Sequence, residues 1–281
     1  MIDKYENLFC SFSGGQTSAY MALWVRDNYP DKNIKYCFAN TGQEHHETYE
    51  FIKNCQDVFG LDVTWIEPVI PKVGDCGFKV VDYNTACRDG SLFEAMVERY
   101  GIPDVKRPFC TRELKTRPLH FYIKSMWKKS EYCTAIGIRA DEVDRVNDNY
   151  EKERYWYPLA WNNITKQDVN DFWDKQPFKL GIPNHLGNCV WCYKKSYKKL
   201  GMIAAESLDY FKVPMELEKK YPIHHVEAQK SRVGTPTSIF RGKKTTLEML
   251  EEFKRDKLSQ LSLFDIDTGY DNSCKESCEP L

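Results

Sequence analysis

The feature that most constrains the fold is an alternation of short apolar runs with amphipathic segments over the first 176 residues. β-rich runs occur at 8–12, 34–39, 63–66 and 132–138, and segments with helical periodicity separate them. Crossover connections of this kind are right-handed and build parallel sheets. A further run at 155–160 contains Pro158, which has no N–H for a strand ladder and favours an edge position. The pattern predicts an α/β fold with a parallel five-stranded sheet flanked by helices.

The alternation stops after Pro177. Residues 181–192 have the composition of a loop, and 194–221 and 245–257 have helical patterns. Residues 259–281 are a polar tail. We therefore predict an α/β domain at 1–176, followed at 177–281 by a cysteine-bearing loop, a mainly helical extension and the tail.

Composition narrows the function classes. The net charge is −1, so no global field draws the chain to nucleic acid or membranes, and no apolar run reaches the ~20 residues of a membrane span. The opening MIDKYENLF does not resemble a signal peptide, and the 11 cysteines are irregularly spaced. A cytoplasmic protein with no membrane partner and mostly reduced thiols is expected. Four cysteines within predicted elements are expected to pack in the core: Cys10, Cys37, Cys55 and Cys133.

The segment SFSGGQTS, residues 11–18, connects the first predicted strand to the first helix. Glycines at such a junction let backbone amides approach an anion, and the helix dipole adds ~0.3–1 kcal/mol. Taken alone, the segment fits an ordinary Gly-Gly turn with a helix cap equally well. It contains no lysine, so any positive charge must come from elsewhere. The candidate ligand-binding residues here are Ser11, Ser13, Gly14, Gly15, Gln16, Thr17 and Ser18.

The SGGQTS segment resembles the signature of the PP-loop adenine-nucleotide hydrolases, and more closely that of the phosphoadenosine-phosphosulfate (PAPS) reductase family. Three further segments resemble motifs of that family in the same order: FANTGQE at 38–44, CTRELK at 110–115 and GIRADE at 137–142. Two positions depart from the family pattern. Gln16 stands where lysine is usual, and Asn40 replaces an aspartate.

The resemblance implies a Rossmann-like fold of the HUP type that binds an adenine nucleotide, with Mg²⁺ offsetting its charge. Ligands of such sheets bind at the carboxyl ends of the strands, where these motifs would converge. The further candidates for nucleotide binding are Asn40, Thr41, Gly42, Glu44, Gly137 and Arg139, and those for catalysis are Lys115, Arg139 and Asp141. Positive charge could come from Arg107, Arg112, Lys115, Arg117 and Arg139, among which Arg139 is favoured and Arg107 is not.

The cysteine spacing resembles that of adenylylsulfate (APS) reductases, in which a Cys-Cys pair and a distant CxxC hold a [4Fe–4S] cluster. Here Cys110 is preceded by Phe109, and Cys189 and Cys192 form the CxxC, so three thiolates are candidate metal ligands. The resemblance implies a cluster with one open iron that could bind sulfide. The set would be complete if Cys87, Cys274 or Cys278 supplied a fourth thiolate. Zinc held with His185, or a redox-active CxxC, are the alternatives.

Three functions follow. The first is a sulfur-transfer ATP pyrophosphatase that adenylates its substrate. The second is a PAPS or APS reductase that gives sulfite, for which the tail cysteines Cys274 and Cys278 are a loose match. The third is a nucleotide-binding module without turnover. The sulfur acceptor would be a small molecule or a nucleic acid bound by the aromatic and lysine run at 193–199, and a homo-oligomer is a further expectation.

Overall fold

A computed structural model describes residues 2–226, 231–241 and 243–255 of the chain. Six strands form one sheet in the order β4-β3-β2-β1-β5-β6. Neighbouring strands are parallel except β3 and β4, which are antiparallel. The strands are β1 (Asn7–Ser11), β2 (Asn33–Ala39), β3 (Val63–Val69), β4 (Gly77–Val81), β5 (Tyr132–Ala135) and β6 (Tyr155–Trp156).

Ten α-helices accompany the sheet within the described residues. They are α1 (Gln16–Asn28), α2 (His46–Phe59), α3 (Ser91–Tyr100), α4 (Arg117–Met126), α5 (Tyr150–Glu153), α6 (Pro158–Trp161), α7 (Lys166–Trp173), α8 (Tyr197–Glu206), α9 (Lys212–Lys220) and α10 (Thr246–Arg255). A π-helical segment, Thr111–Thr116, leads directly into α4. Short 3₁₀ turns lie at Ile2–Lys4, Ala140–Arg145, Asn184–Leu186 and Leu208–Phe211.

The predicted α/β class with a Rossmann-like sheet and a helical C-terminal part is confirmed, with one strand more than expected. The additional strand, β4, lies at the sheet edge and is largely exposed, with Val80 60% accessible. An edge strand that buries little apolar surface has no strong period-two pattern. The sequence therefore carries little signal for it.

Alternate side chains of the strands point to opposite faces, and helices cover both. Leu8 and Cys10 of β1 pack in one buried cluster with residues of α1, α2 and α7. Phe9 lies in a second cluster on the other face, together with Leu119 and Ile123 of α4. The four cysteines expected in the core are buried. Burial raises the pKa of Cys55 and of Cys133 to about 12 and keeps them protonated.

A separate apolar cluster joins α8, α9 and α10 to residues that precede position 176. Phe93 and Met96 of α3 and Leu114 of the π-helical segment pack there against Ile203 and Phe253. This cluster therefore contains residues from both sides of the domain boundary predicted at position 176. The boundary itself stays a prediction. None of the helices in the described ranges is long and apolar enough to cross a bilayer.

Candidate functional site

A crevice of about 260 Å³ opens at the carboxyl ends of β1 and β5. We call it the carboxyl-end crevice. The loop at 13–18 and the loop after β5 form one part of its wall, and residues of α7 and of the segment 180–188 form another. Its polar and charged side chains come from Ser13, Gln16, Thr17, Ser18, Glu44, Thr48, Lys115, Arg139, Glu142, Arg145, Lys166, Asn170, Asn184 and Asn188.

The two glycines of the loop have different roles. Gly14 has a φ of +83°, and a Cβ there would lie 2.7 Å from Thr48 Cγ2 and 3.1 Å from Ile52 Cδ1. Only glycine combines that backbone conformation with such a close approach to α2. Gly15 caps the start of α1 and has no side chain to accept from the first-turn amides. Those amides therefore face the crevice as potential donors to an anion.

The hydroxyls of Ser13 and Ser18 hold the loop together. The Ser18 hydroxyl donates to the Gly15 carbonyl at 2.9 Å and accepts from the Ser13 amide at 3.1 Å and the Ser13 hydroxyl at 3.0 Å. Both side chains thus shape the loop internally. Ser11, the last residue of β1, is buried and lies behind the crevice lining.

Arg139 connects the loop after β5 to the loop after β1. Its Nη1 donates to Thr17 Oγ1 at 3.1 Å. Its Nε and Nη2 each donate to Asp141 at 3.0 Å, and Glu142 lies 3.2 Å from Nη1. A forked pair of this kind fixes the guanidinium plane. Burial raises the pKa of Asp141 and the bonds from Arg139 lower it, and the net pKa is below its ordinary value.

The loop after β5 lies directly against α1. A Cβ at Gly137 would lie 3.4 Å from the Ser18 Cα, which is a close but ordinary contact. This packing places Arg139, two residues further on, near the start of α1.

Two lysines supply positive charge that Gln16 lacks. Lys115 projects from the π-helical segment into the carboxyl-end crevice, and its Nζ lies 3.9 Å from Glu44 Oε1. Lys166, the first residue of α7, lines the opposite wall. Three other arginines considered as sources of positive charge, including Arg107, which the sequence does not favour, lie outside the crevice lining. Arg112 and Arg117 pair with Glu113, and Arg107 reaches Ser231 at 3.4 Å.

Asn40 is fully buried and ties three elements together. Its amide donates to Glu67 at 2.7 Å and to the Cys87 carbonyl at 2.9 Å, and its oxygen accepts from the Gly42 amide at 2.9 Å. The structure thus places Asn40 outside the crevice lining, in a structural role. Thr41 and Gly42 are also outside that lining.

Glu44 is the member of this motif that reaches the carboxyl-end crevice. It accepts from the hydroxyl of Thr41 at 2.7 Å, the amide of Thr41 at 3.2 Å and the hydroxyl of Tyr49 at 3.3 Å. Burial, and then the charge of Glu44, raise the pKa of Tyr49, so its hydroxyl stays protonated and can donate to Glu44 or to Asn40 Oδ1, 3.1 Å away. Glu44 is therefore held as a fixed carboxylate close to Lys115.

The three cysteines predicted as ligands lie around one small cavity. We call it the thiol cavity; its volume is about 20 Å³. Cys110 enters from the start of the π-helical segment, and its Sγ lies 3.2 Å from the Tyr193 hydroxyl. Thr41 and Lys115 line the thiol cavity together with Cys110, Cys189 and Cys192.

Backbone and side-chain hydrogen bonds attach the CxxC loop to Gln43 and Glu44, which follow β2 in the chain. Glu44 and Cys189 form an isolated β-bridge, and the Val190 amide donates to the Gln43 carbonyl at 3.1 Å. Trp191 Nε1 donates to Gln43 Oε1 at 2.5 Å. These contacts fix the CxxC loop to the segment that presents Glu44.

Lys195 holds the same loop from the other side. It is only 2% exposed, and its Nζ donates to the carbonyls of His185 at 2.6 Å and Val190 at 3.0 Å. Tyr193 is 1% exposed. The expectation that residues 193–199 present an aromatic and basic face to nucleic acid is therefore wrong for these two side chains, which are packed inside.

The chemistry of the three thiols suits a thiophilic metal, but the cavity that they line is small. Three cysteine thiolates are typical ligands of iron–sulfur clusters and zinc. A cavity of about 20 Å³ has room for roughly one water-sized atom, which is less than an eight-atom cluster. Across the described ranges, no three His, Cys, Asp or Glu side chains are grouped closely enough to bind a metal. His185 pairs with Glu206 and lies outside the cavity lining.

Lys115 and the segment 41–44 separate the carboxyl-end crevice from the thiol cavity. Lys115 lines both, while Thr41 faces the thiol cavity and Glu44 the crevice. A ligand in the crevice would thus lie on one side of Lys115 and the cysteines on the other. The two sites that the sequence suggested separately are neighbours.

The sequence did not point to four residues that line the carboxyl-end crevice: Lys166, Asn170, Asn184 and Asn188. They come from α7 and from the segment that follows it, where no motif indicates a ligand. A capping signal at Thr165 marks the start of α7, and this is the only hint that Lys166 opens a helix. Cys274 and Cys278 lie outside the described residues.

Residues 7–76 match the family model of the phosphoadenosine phosphosulfate reductase domain. The matched range contains the loop at 13–18 and the Asn40–Glu44 segment. The chain is also similar along nearly its whole length to the "Uncharacterized nin region protein ORF290" of Escherichia phage lambda. The two are 33% identical over 282 residues, which cover 96% of this chain and 93% of the relative.

Proposed function

The chain belongs to the phosphoadenosine phosphosulfate reductase family, and from that premise we propose that it is an adenine-nucleotide-dependent sulfur-transfer enzyme of the ATP pyrophosphatase type. The observation that carries the proposal is the position of Lys115. This side chain lines both the carboxyl-end crevice and the thiol cavity. An activated group formed in the crevice would therefore lie next to cysteine sulfur.

The nucleotide would bind with its phosphates at the start of α1. The amides of the first turn and the Gly14-Gly15 backbone would receive the phosphate oxygens. Lys115, Lys166 and Arg139 offset the negative charge of the phosphates, together with Mg²⁺. These cations would compensate for Gln16. A binding module without turnover, for which Gln16 and Asn40 together argue, remains the alternative.

The proposed first step is adenylation. A substrate oxygen attacks the α-phosphorus of ATP, the bond from that phosphorus to the bridging oxygen of the β-phosphate breaks, and pyrophosphate leaves. In the second step a sulfur nucleophile displaces AMP from the adenylated carbon. Charge develops on the phosphoryl oxygens in the first step, so catalysis would depend mainly on positioned cations.

The predicted catalytic residues have distinct roles in this scheme. Arg139 would contact the phosphates while Asp141 holds its guanidinium plane through the forked pair. Lys115, with Glu44 3.9 Å away, would stabilise charge at the boundary of the two sites. Arg139 and Lys115 would thus contact the bound ligand directly, and Asp141 would be a positioning residue.

We further propose that Cys110, Cys189 and Cys192 hold a [4Fe–4S] cluster, with zinc as the alternative. When bound, the cluster would supply a site for sulfide. The thiol cavity, at about 20 Å³, is smaller than such a cluster, and neither step of the proposed reaction requires the cluster. Anaerobic purification followed by iron and zinc analysis and a visible spectrum separates these options. Iron with absorption near 400 nm supports the cluster, and stoichiometric zinc assigns the cysteines a structural role.

Turnover assays test the reaction itself. Incubation with ATP, Mg²⁺ and a panel of candidate acceptors, including RNA, should release pyrophosphate. Incubation with PAPS or APS and a thiol reductant would instead yield sulfite if the protein is a reductase, the second activity that its family suggests. Tight nucleotide binding without either product would contradict the enzymatic proposal and leave a binding module. The Gly14→Val variant is the negative control for every arm.

A further inference from the structure

The amino-terminal edge of the sheet carries a cluster of cations unrelated to the carboxyl-end crevice. A shallow depression there is lined by Lys4 and Tyr5 before β1, Lys129 and Ser130 before β5, and Lys152 and Arg154 before β6. We call the four cations the amino-end patch. Because β1, β5 and β6 are parallel neighbours, their amino ends converge. The strands between this edge and the crevice span about 15 Å.

The cations of the amino-end patch lack acidic partners. No carboxylate is among the residues that line the depression. In the described part of the chain, none of the four forms an ion pair within 4.0 Å, whereas Arg139 and Arg145 in the crevice are both paired with Glu142. Three of the patch residues, the lysines, are exposed. The carboxylates of the same three loops, Asp3, Glu6, Glu131, Glu151 and Glu153, lie outside the lining of the depression. The lining itself therefore presents positive charge to an anion.

Arg154 is the ordered centre of the patch. It ends α5 with a left-handed φ of 62°, and its carbonyl accepts from the Thr134 amide at 2.9 Å and from Cys133 Sγ at 3.0 Å. Its guanidinium carbon lies 5.3 Å from the centre of the Tyr132 ring. Its buried Nε has no hydrogen-bond partner among the described residues. The backbone of Arg154 and its contact with Tyr132 thus position the side chain in the depression, but its buried Nε does not face a ligand there.

The electrostatic effect of these cations reaches neighbouring groups. Burial lowers the pKa of His120 first, and the charges of Lys124, Lys129 and Arg154 lower it further. Burial raises the pKa of Cys133, while the charges of Arg154 and Lys4 oppose that increase. Lys129 and Arg154 thus act on His120, and Lys4 and Arg154 act on Cys133.

We propose that the amino-end patch binds the phosphate backbone of a nucleic acid. Four cations from three loops, spread over an open depression, suit a chain of phosphates better than a single small anion. None of the large exposed apolar side chains of the described residues lies at 2–6, 127–131 or 150–154, so the surface lacks the anchors with which proteins enter a lipid interface. Tyr5 and Tyr132, the tyrosines next to the patch cations, are buried and cannot stack on bases, which favours binding through the phosphates.

Fluorescence anisotropy with a labelled 20-base-pair duplex of mixed sequence tests the proposal on the full chain. Four phosphate contacts predict a log–log salt slope of about −3 to −4, so Kd should rise roughly a hundredfold between 50 and 200 mM NaCl. The double variant Lys129→Gln/Lys152→Gln should reduce the magnitude of that slope by about two and weaken binding at 50 mM roughly tenfold or more. The matched control, Lys219→Gln/Lys254→Gln, neutralises two exposed lysines of α9 and α10 and should change neither value.

Four results would overturn the proposal. They are no duplex binding at 50 mM salt, equal losses in the patch and control variants, displacement of the duplex by inorganic phosphate at constant ionic strength, and phosphatidylserine vesicles binding the patch in preference to the duplex. Gly14→Val should bind the duplex normally. If Gly14→Val lost duplex affinity, the duplex would bind in the carboxyl-end crevice, and a separate patch would be contradicted. If only the ATP assays failed, the proposed function would be wrong and the proposal for the patch would stand.

Discussion

The carboxyl-end crevice and the thiol cavity share Lys115 but are built in different ways. The crevice takes the amides that we propose to bind phosphate from one contiguous segment, 13–18, whose shape depends on Gly14 and on bonds between Ser13 and Ser18. The thiol cavity combines Cys110 with a CxxC far along the chain, and buried contacts of Trp191 and Lys195 hold the parts together. We therefore expect the crevice loop to tolerate substitutions far from it. The thiol cavity should instead depend on each buried contact that holds its parts together.

The largest expected effect comes from Gly14→Val, which should damage the carboxyl-end crevice and spare the thiol cavity. A side chain at φ +83° would collide with Thr48 and Ile52 of α2, and the loop would lose its anion-binding shape. We expect nucleotide affinity to fall more than a hundredfold, about 3 kcal/mol, in isothermal titration. Gly74→Val is the matched control, because Gly74 also has a positive φ, +96°, but no atom lies within 4 Å of its Cβ.

The reverse case is Lys195→Met, which should damage the thiol cavity more than the crevice. The crevice is affected only through the His185 carbonyl in the segment 180–188. The change leaves the carbonyls of His185 and Val190 without a buried charged donor. We expect the free energy of unfolding to fall by about 3 kcal/mol in urea denaturation and metal loading to fall with it. Lys198→Met, at an exposed position of α8, is the control. If Gly14→Val and Lys195→Met reduced nucleotide affinity equally, the crevice and the thiol cavity would not be separable sites.

Arg139→Ala should have a smaller effect, confined to ligand binding. The variant removes a charge-assisted contact near the phosphates, with an expected loss of about 2 kcal/mol, roughly 30-fold in Kd. Arg112→Ala also removes an arginine paired to an adjacent carboxylate, Glu113, but outside the carboxyl-end crevice, and should leave Kd unchanged. Equal losses would show that net charge, and not position, determines binding.

The smallest expected effect is a difference in acid sensitivity. Burial, and then the charge of Arg232, lower the pKa of His224 to about 4 from an ordinary value of 6.5. The unfolded chain therefore binds a proton more readily than the folded chain between these values, and stability falls as the pH drops from 6.5 towards 4. His224→Gln should flatten part of the decline in Tm between pH 7 and pH 5. Burial lowers the pKa of His45 and His120 too, so some decline should remain.

Nucleotide binding should be less affected over the same pH range. The pKa of Asp141 is below its ordinary value, so the carboxylate stays ionised and keeps Arg139 in place at pH 5. Affinity measured at pH 5 and pH 7 should therefore agree within a few-fold. A steep loss at pH 5 in both wild type and His224→Gln would indicate that another group in the carboxyl-end crevice titrates.

The sequence by itself determined the α/β alternation, the glycine loop at the end of β1 and the three candidate cysteines. These features depend on periodicity, on local backbone conformation and on residue chemistry, which short segments specify. Only the tertiary structure decided that Asn40 is buried in a hydrogen-bonded role, that Lys166 lines the carboxyl-end crevice and that Lys115 lies between the two sites. Those outcomes depend on which distant segments meet, and the period of a strand or helix carries no information about its neighbour across the fold.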